Sequence, residues 1–262
     1  MLADIQKLLP GHPWLDKMQY FDTIDSTNTY AKVLAASGAP EGTVVIAGHQ
    51  TGGRGRLGRS FSSPSGMGIY LSVILRPDCL PEALMHLTCA TGVAASKAVE
   101  TVTGICPGIK WTNDLVLGKR KLGGILTELS LDPVTRKVEW AVVGIGINCC
   151  QQPGDFPEEI RDIACSLNMH PQTVPALTAV LIDALQTMRA DLLRGKPEIM
   201  AQFRRRCVTI GQEISLLRGD EVRHGQALGV DDDGSLLVQF TDGCTQSVAS
   251  GEVSIRGMYG YL

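Results

Sequence analysis

Between Gly108 and Asn148 four β-type runs follow one another with only short turns between them. They are GIKW, DLVL, KLGGILTELSL and KVEWAVVGIGIN, parted by TND, LGKR and DPVTR. Turns this short suit antiparallel hairpins, since a parallel connection needs a crossover of a dozen or more residues. The chain must therefore be organised around a sheet. Three earlier segments can join it. KMQYFDTI (17–24) reads as a strand, GTVVIAGHQ (42–50) is a β-branched run bounded by glycine and so a buried strand, and GMGIYLSVILRP (66–77) alternates and is stopped by Pro77.

Helices are expected around this sheet. DSTN (25–28) opens one, with Asp25 or Ser26 as its cap, TYAKVLAAS as its body, and Gly38 and Pro40 at its end. PEALMHLTCATGVAASKAVETVTG (81–104) places proline in a first turn and Leu84, Leu87, Val93 and Val99 at helical spacing. Residues 156–206 carry helical patterns, most clearly VPALTAVLIDALQTMRADLLRG. From about Gly211 the character changes to five short strands, EISLLRG, EVRHGQALGV, SLLVQF, TQSVAS and EVSIRG, with Gly/Asp turns that suggest a small barrel.

Bulk properties exclude several classes. The 262 residues allow one large domain or a medium one with a small companion, and 44% apolar residues suffice for a core. A net charge of −3 argues against a general electrostatic nucleic-acid binder. The opening MLADIQKLLPGHPW is not a signal peptide and no run approaches membrane-spanning length, so no membrane partner is expected. The 8 cysteines lack C-x-x-C pairs and histidines at ligand spacing, which points to reduced thiols in a cytoplasmic protein and no structural metal.

TGGRGRLGRSF (51–61) is the most unusual stretch. From Gly53 it comes within one substitution of a P-loop, but that motif needs a following helix to hold phosphate. Here SFSSPSGMGIY contains Pro64, Gly66 and Gly68 and runs into a strand, so the P-loop reading fails. What remains is a loop of guanidinium groups and accessible backbone N–H groups suited to an anion, with repulsion and glycine entropy favouring disorder until a ligand arrives.

GRGRLGRSF, DSTN at 25–28, KWTNDL at 110–115, RKLGGILTEL at 120–129 and GIGIN at 144–148 together resemble the biotin protein ligase family, in the family's order and over nearly the whole chain. The resemblance implies an α+β fold: a biotin/lipoate ligase-like mixed β-sheet with packed helices over residues 1–209, and a small SH3-like C-terminal β-barrel over 210–262. It implies that biotin and ATP, with Mg2+, give biotinyl-5′-adenylate, which is then attacked by a lysine of a biotin carboxyl carrier protein or domain. Joining a carboxylate to a triphosphate needs positive charge and positioning more than an enzyme nucleophile.

The same resemblance assigns roles. Ser26, Thr27, Asn28 and Gln50 would meet the biotin ring. Arg54, Gly55 and Arg56 would close over the biotin tail and adenylate, and Arg56 and Arg59 would touch ATP phosphates. Lys121, read by itself as an exposed hairpin lysine, would face the biotin carboxylate and reacting phosphate, so Lys121 and Arg56 are the catalytic candidates. Gly123 and Gly124 would let the backbone approach the ligand, while Gly144 and Gly146 would admit a flat bicycle. Lys110, Trp111, Asn113, Asp114 and Asn148 would surround the nucleotide and its metal, with no protein metal site assigned. The chain departs from the family at Thr112, where proline is usual, and at Ser60-Phe61, where a tryptophan is usual; Phe61 is expected to keep the apolar contact. The segment before DSTN contains Pro10, Gly11 and Pro13 and fits no recognition helix, so a short form without DNA binding is expected. The resemblance leaves room for a homodimer. A related lipoate or octanoate enzyme and a non-catalytic interaction module are the alternatives.

Overall fold

The computed structural model describes residues 1–250 and 254–257. A short helix α1 (Leu2–Lys7) precedes β1 (Met18–Ile24), α2 (Thr27–Ala36), β2 (Val44–Gln50) and β3 (Gly68–Leu75). Then come α3 (Leu87–Thr103), β4 (Gly108–Lys110), β5 (Asp114–Leu117), β6 (Arg120–Leu131) and β7 (Val138–Asn148). Helices α4 (Val174–Asp191) and α5 (Lys196–Arg206) lead to β8 (Glu213–Arg218), β9 (Glu221–Val230), β10 (Leu236–Phe240), β11 (Thr245–Val248) and β12 (Ser254–Gly257).

The first seven strands form one mixed sheet in the order β1-β2-β3-β7-β6-β5-β4. Helix α2 is the crossover that lets β1 and β2 pair in parallel, and every other neighbour is antiparallel. The consecutive pairing of β4 to β7 is the hairpin series expected from the turn-separated runs. Ser26 is the N-cap of α2, its Oγ accepting from the Thr29 N–H at 3.4 Å, and Gly38 ends the turn with φ 87°.

Four expectations differ from the structure. All eight positions of β3 are buried rather than alternating. The sheet is covered there on both faces, by the small cluster of Ala31, Ala35, Val45, Ile74, Trp140 and Val142 on one side and the main core on the other. Pro81 opens only a 3-10 turn, Pro81–Leu84, and the α-helix starts at Leu87. Residues 156–173 hold 3-10 turns, because Pro157 and Pro171 interrupt any α pattern before Val174. The Gly/Arg stretch, expected to be disordered when empty, follows a defined path. The Gly55 N–H donates to Arg59 O at 2.7 Å and the Phe61 N–H to Gly53 O at 2.8 Å.

The C-terminal strands form a second, wholly antiparallel sheet, β11-β10-β9-β8-β12. Its Ile214, Leu216, Val238 and Ile255 belong to the same continuous buried cluster as the main core. The seam is closed by polar contacts around the Asp231–Ser235 turn. The Arg204 Nε–H donates to Val230 O at 2.7 Å, Arg204 pairs with Asp232, and Lys196 pairs with Asp233. Trp111 lies at the centre of the seam, its indole N–H donating to Gly234 O at 2.8 Å and its backbone N–H to Thr209 Oγ1 at 2.9 Å. The cysteines are free thiols. Among the described residues no helix is long and apolar enough to cross a membrane.

Replacing Trp111 by Phe keeps the ring packing but leaves the Gly234 carbonyl buried without its donor. The expected cost is about 1–3 kcal/mol, seen as a lower urea midpoint by circular dichroism with the slope unchanged.

Candidate active site

Helix α2 packs mainly over β2, β3 and β7, and its Asn28 and Lys32 side chains reach Glu128 on β6. The uncovered part of that sheet face is the floor of a cleft of about 570 Å³. Residues alternate across a strand, so Gly144 and Gly146 continue the row of Trp140 and Val142 that α2 covers, and Gly124 and Leu126 lie beside them on β6. The walls come from the N-terminus of α2, the Gly/Arg loop, the β4–β5 turn, Ile163 and Ile255 of β12. Among the sequence candidates, Ser26, Thr27, Asn28, Gln50, Arg54, Gly55, Arg56, Arg59, Lys110, Trp111, Asn113, Asp114, Lys121, Gly124, Gly144 and Gly146 all line this one cleft.

One end is neutral and hydrogen-bonding. Gln50 Oε1 accepts from the Thr27 N–H at 2.9 Å and the Thr27 hydroxyl at 3.1 Å, while Gln50 Nε2 donates to Ser63 Oγ at 2.9 Å. Asn28 donates from Nδ2 to Glu128 Oε2 at 2.7 Å and accepts from Ser72 Oγ at 2.8 Å. Glu128 in turn holds Lys32 at 2.7 Å. Burial works to raise the Glu128 carboxyl, but the hydrogen bonds from Lys32 and Asn28 outweigh it and hold the group below the usual carboxylate range.

The glycines act through side chains as well as through open space. A methyl on Gly144 would overlap the Asn28 amide, and one on Gly146 would overlap the Phe61 ring at 2.5 Å. The positions expected to admit a flat bicycle thus seat Asn28 and Phe61, which line the cleft from above. Phe61 lies edge-to-face with the buried Tyr70 at 6.4 Å between ring centroids. Gly123 differs from its expected role: a methyl there would strike the Gly146 carbonyl, so it serves the β6–β7 crossing and not the cleft.

The other end is cationic. Lys121 Nζ lies 2.7 Å from Asp114 Oδ1, and its backbone is gripped by the following loop, with Lys121 N–H donating to Ile163 O at 2.7 Å and Cys165 N–H to Lys121 O at 2.8 Å. Arg56 donates to Asn113 Oδ1 at 3.0 Å and to Ser250 O, while Asn113 Nδ2 donates to Asp114 Oδ1 at 3.1 Å. Burial pulls the Arg56 guanidinium below its usual range, Asp114 opposes this, and Arg59 adds to it. Lys110 is buried at this end, and the Trp111–Thr112 peptide beside it is cis. Among the described residues, Arg54, Arg56, Arg59, Lys110 and Lys121 line the cleft together with Asp114.

Asn148 is placed differently from the expectation. Its Nδ2 donates to Cys165 O at 3.0 Å and its Oδ1 accepts from Gln151 at 3.2 Å, tying β7 to the loop that grips Lys121. Glu128, Ser72 and Lys32 were missed. Period-2 alternation from Gly124 and Leu126 puts Glu128 on the cleft face, so its signal was present in RKLGGILTEL. Ile163 and Ile255 had none, since one lies in an irregular loop and the other arrives from the second sheet.

Residues 20–148 match the model of the Biotin/lipoate A/B protein ligase family, and residues 209–256 match that of the Biotin protein ligase C terminal domain. The chain is 36% identical over 228 residues to the bifunctional ligase/repressor BirA of Bacillus subtilis, covering 86% of this chain and 70% of that protein. It is 33% identical over 237 residues to the biotin–[acetyl-CoA-carboxylase] ligase of Mycobacterium tuberculosis, covering 87% and 85%. Among solved structures, the biotin protein ligase of Aquifex aeolicus in complex with biotin and ATP superposes with a TM-score of 0.74 at 30% identity, over 92% of this chain and 98% of that one. With the hydrogen-bonding and cationic ends meeting in one cleft of this fold, the chain belongs to the biotin protein ligase family.

Proposed function

We propose that this chain is an ATP-dependent biotin protein ligase. It activates biotin as biotinyl-5′-adenylate and passes the acyl group to a lysine of a biotin carboxyl carrier domain of a carboxylase. The observation that carries this reading is a single cleft with a neutral hydrogen-bonding end, a glycine-lined floor and a cationic end. A cyclic urea suits the first end, through Ser26, Thr27, Asn28 and Gln50. A carboxylate and a triphosphate together suit the last.

In the first step a biotin carboxylate oxygen bonds to the α-phosphorus of ATP, and the bond to the bridging oxygen of the β-phosphate breaks to release pyrophosphate. In the second, the carrier lysine amine attacks the acyl carbon and AMP leaves. Neither step uses a protein nucleophile. Lys121 is assigned to the incoming carboxylate and α-phosphate, where Asp114 holds its ammonium, and Arg56 to the mixed anhydride as it forms and while it waits for the acceptor. Arg54 and Gly55 share the lid with Arg56, and Gly124, Gly144 and Gly146 the floor. Arg59, Lys110, Trp111, Asn113 and Asp114 are assigned to the nucleotide, and Asn148 acts through the loop it ties. ATP brings Mg2+, which screens phosphate charge; one carboxylate, Asp114, beside Asn113 fits a cation that keeps its water and phosphate oxygens. We place the domain boundary at 209/210. The C-terminal sheet then contributes to catalysis by supplying Ile255 to the cleft and Ser250 to Arg56.

Biotin with Mg-ATP is expected to support pyrophosphate exchange and to label an added carrier domain, measured with radiolabelled pyrophosphate and labelled biotin. Exchange with lipoate alone would transfer the protein to the sister activity, and exchange with neither acid would end the ligase reading. Lys121→Ala should lower adenylate formation roughly 10²–10³-fold with the melting temperature nearly unchanged; near-normal single-turnover rates would remove it from the reaction. Arg56→Gly should speed the loss of bound biotinyl-5′-adenylate by roughly tenfold or more, followed by filter retention, because a charged hydrogen-bond donor to the phosphate is gone.

A further inference from the structure

We propose that Thr209 is a positioning residue for nucleotide binding: from the segment between α5 and β8 its hydroxyl oxygen holds the Trp111 backbone, and so places Lys110 and Trp111 at the cationic end of the cleft. The inference deepens the proposed function and rests on the reading that this end receives ATP.

β4 is the last strand of the seven-stranded sheet and is only three residues long. The turn that follows it is therefore supported unequally. On one side the sheet holds it. The Ile125 N–H donates to Asn113 O at 2.8 Å, Asn113 Nδ2 donates to Ile125 O at 3.2 Å, and Asp114 pairs with Gly124 of β6. On the other side no further strand pairs with β4 among the described residues, and residues 207–209 meet its edge instead. The Val208 N–H donates to Ile109 O at 3.0 Å, as a neighbouring strand would. Two residues on, the Trp111 N–H faces the same segment, and there the Thr209 side chain takes the place of a strand carbonyl, accepting at 2.9 Å.

Thr209 and Trp111 are both buried, and a buried N–H that loses its acceptor has no water to turn to. A methyl group in place of the hydroxyl would also need roughly 3.5 Å or more from the Trp111 nitrogen. Removing the oxygen thus displaces the backbone at Trp111, with the indole N–H, bonded to Gly234 O at 2.8 Å, as the pivot. Lys110, the buried residue before it, moves with it. Asn113 and Asp114 stay with β6, and Asp114 keeps Lys121 at 2.7 Å. Thr209 therefore governs Lys110 and Trp111, assigned to the nucleotide, whereas β6 governs the support of Lys121, assigned to the reacting atoms.

Thr209→Val keeps the volume and removes the acceptor. In pyrophosphate exchange at saturating biotin its KM for ATP is expected to rise roughly tenfold, while kcat stays within about threefold. Biotin affinity by calorimetry without nucleotide should stay within about twofold, since Thr27, Asn28 and Gln50 are held by other elements. Thr209→Ser keeps the hydroxyl, loses a buried methyl, and should bring the KM for ATP to within about twofold of wild type. A purely packing role predicts the reverse order, with Thr209→Ser the more damaging change. If Thr209→Val does not fold by circular dichroism, Thr209→Ala set against Thr209→Ser poses the same question without an added methyl, and Thr209→Ala is expected to raise the KM for ATP as far. The proposal is overturned by an unchanged KM for ATP on loss of the hydroxyl, by Thr209→Ser matching that loss, or by kcat or biotin affinity falling as far as the KM rises. Failure of both Thr209→Val and Thr209→Ala to fold would overturn it too, assigning Thr209 to the fold alone. Wild-type protein without biotin-dependent exchange would overturn the proposed function instead, and is recognised before any variant is compared.

Discussion

The close antiparallel contact of β6 with β7, bare of side chains at its cleft end, is the feature on which the site depends. Gly123 lies against the Gly146 carbonyl where no methyl fits, and Gly124, Gly144 and Gly146 leave the adjoining sheet surface low. Because that surface is low, Asn28 can reach in from α2 and Phe61 can fold down from the Gly/Arg loop. The helix, the loop and the ladder are thus registered against one another by steric exclusion. The hydrogen bonds from Glu128 to Gln50 then select orientations within a space that the glycines have already shaped.

Electrostatics works over a different range. The chain as a whole is acidic, with a net charge of −3, yet its cleft is lined by Arg54, Arg56, Arg59, Lys110 and Lys121 as well as Asp114. Partial burial raises the strength of each interaction with an entering anion, because solvent screening is reduced. Asp114 keeps Lys121 in place at 2.7 Å, and Asn113 gives Arg56 a resting partner at 3.0 Å. The second sheet is coupled to this end through Trp111 and Gly234, so the cationic side of the cleft and the seam between the two sheets share one residue.

Much of the fold was legible in the chain. The hairpin series from Gly108 to Asn148 shows in its turn residues, the start of α2 in Ser26, and the second sheet in its run of short strands, because turn chemistry and capping act over a few neighbours. The misreadings were equally physical. β3 looked like a strand with one wet face, whereas helices cover it on both sides. Pro81 looked like a helix start and opens only a 3-10 turn. Repulsion among arginines argued for a disordered loop, but bonds from Gly55, Arg56 and Phe61 hold it. Glu128 could have been assigned from strand alternation; Ile163 and Ile255 could not.

By itself the sequence determined the order of elements, the glycines of β6 and β7, the loop's arginines and the motifs that resemble one family. These are local in the chain, and propensity, periodicity and turn geometry act locally. Only the tertiary structure decided that residues from Ser26 to Ile255 share a cleft, that Asn148 braces a loop beside it, and that Thr209 holds the Trp111 backbone from outside the sheet. Those outcomes depend on which faces meet across space. Packing settles that for all elements at once, so no single segment contains it.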